Sequence, residues 1–490
     1  MRGVCAAGHP VTAEAGARVL REGGNAVDAA VAAMLTSWVA EPMLTGPGAG
    51  GYMLVAGDGR EPALLDFFVA APGIGGDRDA RGELLAVDVS YGAASQVFHV
   101  GAASCGAYGT PAGVQAAHER WGSVPLAELA APAAALAREG VPLNRQQAYV
   151  GEIIAGILVS HPTAAALFAP AGRVLREGEP FRSRELGDTI ERLGAEGAEP
   201  FYAGEVAHAV VEFLGERGGA LTAEDLAGYR AVAREPLRVA YRDREVLTNP
   251  PPSAGGTLLA LALARLHRER RPSTLAAVVE AMRVAQEART PAFVEGLGEP
   301  GFAERFLAAR LGSTTHVSTM DGDGLACSVT CTTGEGCGLV VPGTGIHVNN
   351  IMGEADLSPL GLLTAPPGRR MPSMMAPTAV LRDGAIELVL GSAGSSRIRS
   401  AILQVIVATV DHCLGVAEAI DAPRVHLEDG VLYAEPGVPS AALRDAGPAV
   451  VEFSERNLFF GGVQAVARDL DGGGLSGAGD PRRGGAAAVA

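Results

Sequence analysis

Residues 313–332 read STTHVSTMDGDGLACSVTCT, and the fold turns on how this stretch pairs with itself. β-Branched and small residues flank Asp321-Gly322-Asp323-Gly324, a pattern that predicts a hairpin of two strands, Thr314–Met320 and Leu325–Thr330. Asp321 and Asp323 are then turn residues. Ser313, Thr314, Thr315 and His316 crowd the head of the first strand, which fits either a plain strand edge or a nucleophile. A serine-hydrolase triad is disfavoured, because the chain has no G-x-S-x-G elbow and none of its ten histidines falls in a triad context. Another route needs no histidine. If the chain is cut before Thr314, the new α-amine, with an ordinary pKa of about 7.7–8.0, sits on the same residue as the hydroxyl and can take its proton. The Gly- and Pro-rich stretch 290–313, around one short helix, is the expected mobile connector.

Composition narrows the chemistry. The 490 residues carry a net charge of −16, so nothing draws the chain to nucleic acid or an anionic membrane. All 39 basic residues are arginine. The lack of lysine removes Schiff-base catalysis, a pyridoxal phosphate anchor and the Walker-loop lysine. The N-terminal stretch lacks an apolar run of signal-peptide length, and the most apolar windows, such as Thr257–Leu266, are too short to span a bilayer. A cytoplasmic protein without a membrane span is expected. Three of the six cysteines, Cys327, Cys331 and Cys337, lack the paired C-x2-C of a zinc site and read as structural, so neither a metal nor another cofactor is expected.

Along the chain, Thr12 is the expected cap of a helix that runs through Glu22 and stops at Gly23-Gly24; Asn25 caps the next, which Pro42 ends. Tyr52–Val55 and Ala63–Phe67 form a hairpin around Asp58-Gly59. Gly46, Gly48 and Gly51 satisfy G-x-G-x-x-G but follow a helix and open a strand, the reverse of a dinucleotide site. Residues 113–310 read as a helix-rich middle, with segments near 124–138, 145–168, 183–194 and 203–217. The run from Asn249 to Gly256 is an extended turn before a helix. Ala385–Leu390 is a strand, followed by a Gly/Ser turn and a helix from about Ile398; backbone N–H groups at such a turn can gather around an oxyanion.

Taken together, AAGHPVTAEAGARVLREGGNAVDAAVA, LTGPGAGGYML, GTPAGVQAAHERWG, LTAEDLAGYR, NPPPSAGGTLLA, STTHVSTMDGDG, PGTGIHVNN, MAPTAVL, GSAGSSRI and GAGDPRRGGAAAVA resemble the γ-glutamyltranspeptidase family of N-terminal-nucleophile hydrolases over nearly the whole chain. The resemblance implies a four-layer αββα sandwich, an α/β fold with two antiparallel sheets between helical layers. It also implies self-cleavage between Ser313 and Thr314. The products would be a large chain of residues 1–313 and a small chain of residues 314–490, entwined as an αβ heterodimer, with a dimer of these as a further possibility, and acting on a small-molecule substrate. Thr314 is the implied nucleophile, Thr332 matches the family's supporting threonine, and the N–H groups of Gly394 and Ser395 match the oxyanion donors, where the family usually has Gly-Gly.

The substrate side departs from the family pattern. Where glutamyl-transferring members have D-F-R-E-x-A-P, this chain has Asp66-Phe67-Phe68-Val69-Ala70-Ala71-Pro72, so Phe68 replaces the carboxylate-binding arginine. Of the paired serines, Ser373 survives and Met374 replaces the other. The amine-binding Asn, Gln and Asp fall at Thr333 or Gly334, at Ile351 and at Glu354. A free γ-glutamyl group therefore fits poorly. The leading expectation is an amide hydrolase or acyl transferase with an apolar acyl pocket around Phe68, Ile351 and Met374 and with Glu354 kept for an amine. The alternatives are a carbon–carbon hydrolase of an alkylproline-type antibiotic pathway and an uncut, non-catalytic scaffold. His316 and His347 are expected to be structural, and Arg397 to be either a substrate contact or half of an ion pair.

Overall fold

The second helix of the chain, Ala26–Ala40, is apolar on every side, and all fifteen of its residues are buried. A helix apolar all round needs neighbours all round. It finds them in the first helix, Pro10–Glu22, in the helix Leu126–Glu139 and in the strand Thr315–Asp321 beneath it. The computed structural model describes residues 2–76, 82–90, 95–269, 272–287, 314–357, 361–446 and 449–490. Ser313 and the 290–313 connector lie outside the described residues.

Two antiparallel sheets stack face to face. The seven-stranded sheet runs, edge to edge, Ala486–Val489, Gly3–Ala7, Thr315–Asp321, Ala326–Thr332, Gly50–Gly57, Arg60–Phe67 and Val232–Arg234. The six-stranded sheet runs Leu475–Gly479, Gly462–Arg468, Ala385–Ala393, Thr378–Arg382, Arg244–Thr248 and Leu237–Tyr241. The helices Pro10–Glu22 and Ala26–Ala40 cover the first sheet; Ala254–His267 and Arg397–Val410 cover the second. Three apolar cores fill the gaps, one under each helical layer and one between the sheets. This is the expected four-layer αββα sandwich. Both sheets mix strands from before and after residue 314, so a cut there leaves the two parts interleaved. Among the described residues, no helix is long and apolar enough to cross a membrane.

Asn25 caps its helix through a capping box, its Oδ1 accepting the N–H groups of Val27 and Asp28 while Asp28 accepts that of Asn25. Gly23 ends the preceding helix in the left-handed region, at φ 101°. Three expectations need correction. His9, not Thr12, caps the first helix, with Nδ1 accepting Val11 N–H at 3.2 Å; Pro10 at the first helical position starts the helix there. The strand begins at Thr315, with Thr314 just before it. The helix-rich middle also contains strands, the short pair Val141–Pro142 and Pro180–Phe181 and the run Val232–Arg234, Leu237–Tyr241 and Arg244–Thr248, and its 145–168 segment is three short helices broken around Ile154 and His161.

Replacing Asn25 by Ala removes the cap and the Nδ2 bond to the Trp121 carbonyl. A loss of about 1–2 kcal/mol is expected, read as a lower urea midpoint; an unchanged midpoint contradicts the assigned cap.

Candidate active site

Successive side chains of a strand point to opposite faces, so Thr315, Val317 and Thr319 face the helical layer while His316, Ser318 and Met320 face the second sheet. Thr314 continues the inward row. It is fully buried, and its Oγ1 has no hydrogen-bond partner among the described residues. The pairing Thr315↔Cys331 brings Thr314 to the level of Thr332 on the neighbouring strand. Thr332 Oγ1 accepts the Gly334 N–H at 2.8 Å.

The chain then turns sharply. Thr333 N–H bonds the Leu44 carbonyl at 3.1 Å, and Asn350 N–H bonds that of Thr333 at 3.0 Å. Gly334 has φ 65°, and a Cβ there would stand 2.1 Å from Asn350 Oδ1 and 2.2 Å from Glu354 Oε1. Only glycine permits this approach. It brings the buried Glu354 carboxylate beside the Thr332–Gly334 turn. Asn350 was not singled out in the sequence, although its Oδ1 also holds Glu335 N–H at 2.9 Å; the Asn-Asn pair closing PGTGIHVNN was the available signal.

The second sheet supplies the other wall. At Gly391 a Cβ would stand 2.2 Å from the His316 ring, so the strand Ala385–Ala393 passes against Thr315–Asp321 with no room for a side chain. The far end of the hairpin, around Gly324, lies by Ile386. The two strands therefore run oppositely, and the turn after Ala393 comes to the Thr314 end. There Gly394 has φ 122° and Ser395 φ 61°, and the helix Arg397–Val410 follows. Arg397 is a structural anchor: Nε donates to the Phe459 carbonyl at 3.0 Å, the guanidinium lies over the Phe459 ring at 4.6 Å, and Glu428 is 3.9 Å away.

The histidines serve packing. His316 Nδ1 pairs with Thr330 Oγ1 at 2.8 Å and Nε2 with Ser318 Oγ at 2.9 Å, and burial holds the ring at a pKa of about 3, so it is neutral. His347 Nε2 accepts Gly338 N–H at 3.2 Å, and burial lowers its pKa to about 4. Cys327, Cys331 and Cys337 are buried with no disulfide, and among the described residues no group of three His, Cys, Asp or Glu side chains is arranged to hold a metal ion.

The predicted apolar pocket is divided. Phe68 and Ile351 share the core between the sheets, where Phe68 stacks on Tyr52 at 5.6 Å. Met374 belongs instead to the core under the second helical layer. Its neighbour Met375 packs between the sheets, and residues 373–375 alternate as an extended segment must. Ser373 Oγ accepts Met375 N–H at 3.0 Å, and its carbonyl accepts those of Ala254 and Gly255. Arg370 approaches the Phe68 position without replacing the lost arginine: it donates to the Phe68 and Arg230 carbonyls, lies 3.3 Å from Asp66 and covers the Tyr229 ring.

Residues 12–490 match the model of the gamma-glutamyltranspeptidase family. The acylase ACY 1 proenzyme of Pseudomonas sp. (strain SE83) is 33% identical over 96% of this chain and 90% of its own length. The glutathione hydrolase proenzyme of Escherichia coli (strain K12) is 31% identical over 98% and 90%. Among solved structures, the cephalosporin acylase of Bacillus halodurans superposes with a TM-score of 0.85 at 27% identity, covering 100% of this chain and 96% of that one.

Ser395 holds a backbone conformation that costs a side-chain-bearing residue about 1–2 kcal/mol. Ser395→Gly is expected to raise stability by about 1 kcal/mol, seen as a higher urea midpoint; a lower midpoint would mean that the serine side chain contributes more than its backbone costs.

Proposed function

Because the chain belongs to the gamma-glutamyltranspeptidase family, we propose that it is an autoprocessing amide hydrolase or acyl transferase whose nucleophile is Thr314. One observation carries the reading: a fully buried threonine whose hydroxyl has no partner among the described residues, at the level of Thr332 and at the end of the site where Gly394 and Ser395 turn. In the precursor, Thr314 Oγ attacks the Ser313 carbonyl carbon. The peptide C–N bond breaks, the nitrogen becomes an α-amine, and water hydrolyses the resulting ester. Residues 1–313 and 314–490 then form an interleaved heterodimer.

In turnover the α-amine takes the hydroxyl proton while Oγ attacks the substrate amide. The N–H groups of Gly394 and Ser395 stabilise the oxyanion, as preorganised dipoles do at developing charge. The amine product leaves with the proton, and water or a second amine releases the acyl group from Thr314. Thr332 supports the nucleophile from the adjacent strand.

The acyl group is read from the substituted positions. Glu354, beside Gly334, suits an ammonium group. Phe68 stands where the family's carboxylate-binding arginine is expected, and Arg370, which reaches the Phe68 carbonyl, is already committed to Asp66 and to the Phe68 and Arg230 carbonyls. An unpaired buried carboxylate costs several kcal/mol, and each 1.4 kcal/mol is about tenfold in affinity. The best acyl donors therefore carry an amine but no adjacent carboxylate. Relatives named as acylases support amide chemistry outside the glutathione type.

Mass spectrometry of purified wild type beside Thr314→Ala tests the nucleophile: two chains are expected in the first and one uncut chain in the second, and cleavage in both contradicts it. For specificity, 4-aminobutanoyl-p-nitroanilide is expected to exceed γ-glutamyl-p-nitroanilide in kcat/KM by about tenfold or more. Turnover of the γ-glutamyl compound at about 10⁴ M⁻¹s⁻¹ would refute the substrate class. A natural product pair of a carboxylic acid and a new C–H bond, with no amine released, would assign carbon–carbon cleavage instead.

A further inference from the structure

Glu41 follows the helix Ala26–Ala40 and is buried at 1% exposure, yet no arginine pairs with it among the described residues. Its partners are two hydroxyls: Thr315 Oγ1 donates to Oε2 at 2.6 Å and Thr12 Oγ1 to Oε1 at 3.1 Å. A carboxylate in this place is opposed both by desolvation and by the negative end of the helix dipole. It also stands beside both halves of the site. Its side chain holds Thr315, the residue after Thr314. Its carbonyl accepts the Leu44 N–H at 2.9 Å, and the Leu44 carbonyl in turn accepts the N–H of Thr333, the residue after Thr332.

We infer that Glu41 is a positioning residue for Thr314, acting through Thr315, and the anionic partner of the α-amine that cleavage before Thr314 exposes. The inference rests on the nucleophile assignment above. Before cleavage the Thr314 nitrogen is an uncharged amide and gives the carboxyl no cation. Burial pushes Glu41 up to about 7, while the hydroxyls of Thr315 and Thr12 draw it down. After cleavage an amine of ordinary pKa about 7.7–8.0 lies one residue from the Glu41–Thr315 bond. A proton passes from the carboxyl to the amine, and the two groups then titrate as a pair.

The sign follows directly. A carboxylate stabilises the ammonium form, so the free amine that takes the hydroxyl proton appears at higher pH with Glu41 ionised than without it. The other groups around Glu41 stay uncharged near pH 7. Cys331, opposite Thr315 in the ladder, has its thiol pushed well up by burial and by the Glu41 carboxylate. His9 follows Gly8, against which the carboxylate packs, and burial lowers its pKa to about 4. Thr12 and Thr315 are neutral donors.

The absence of lysine makes the test direct, because the only amines of the cleaved protein are the α-amines of its two chains. Acetic anhydride labelling from about pH 5 to 10, with each chain's mass read separately, titrates Thr314 against the large chain as internal control. In Glu41→Gln, which keeps the size and an oxygen acceptor for Thr315, half-maximal labelling of the small chain is expected at least about one pH unit lower than in wild type, with the large chain unmoved. Thr315→Val, which removes the hydroxyl but keeps the branched shape, is expected to shift the small chain the same way by less, and it decides the matter if Glu41→Gln does not mature. Small-chain profiles that superimpose on wild type overturn the role of Glu41 and leave Thr314 as nucleophile. A wild-type protein that stays a single chain overturns the assignment on which both rest.

Discussion

The strand Thr315–Asp321 is hydrogen-bonded on both edges, to Gly3–Ala7 and to Ala326–Thr332, and packed on both faces, by a helix and by the second sheet. No other placement would leave Thr314 fixed. The flanking ladders set its height against Thr332, and the missing side chain at Gly391 lets the second sheet close in until the Gly394–Ser395 turn reaches the same end. A slip of one residue would point Thr314 at the helices instead. The His316–Thr330 bond to the neighbouring strand and the Ser318 Oγ bond to the Gln464 carbonyl of the second sheet resist such a slip, because each buried polar group would lose its partner.

What was legible in the sequence was what is decided locally. Asn25 and Gly23 cap and stop helices through their own neighbours, and the two hairpins follow from Gly-containing turns between alternating residues. The strands from Val232 to Thr248 are hidden because they are only three to five residues long and put Val232, Ala233 and Ala240 on exposed positions, so no clean polar–apolar alternation marks them. The αββα layering came from the resemblance of whole motifs, and the stacked sheets bear it out. Side-chain direction was not legible: the sequence places Met374 beside Ser373, but only the extended course of residues 373–375 sends it into the other core.

Contacts between distant residues were also out of reach. Glu41 and Thr315 are 274 positions apart, and nothing local in either marks the pair. Gly334 and Glu354 are likewise joined only by the fold: the longer carboxylate occupies the space that a side chain at 334 would take. Arg370 covers the Phe68 region from a segment 302 positions away, and its charge is committed to Asp66. All three relations join residues that only the fold brings together, so no motif in the sequence marks them.

The central claim is that Thr314 carries the acyl group. Rapid quenching of the purified enzyme with a short-chain p-nitrophenyl ester, followed by peptide mapping of the small chain, tests it most directly. An acyl adduct on Thr314, appearing with the nitrophenol burst and absent in Thr314→Ala, is the predicted result. An adduct found elsewhere, as on the exposed Cys413, with turnover undiminished in Thr314→Ala, would contradict it.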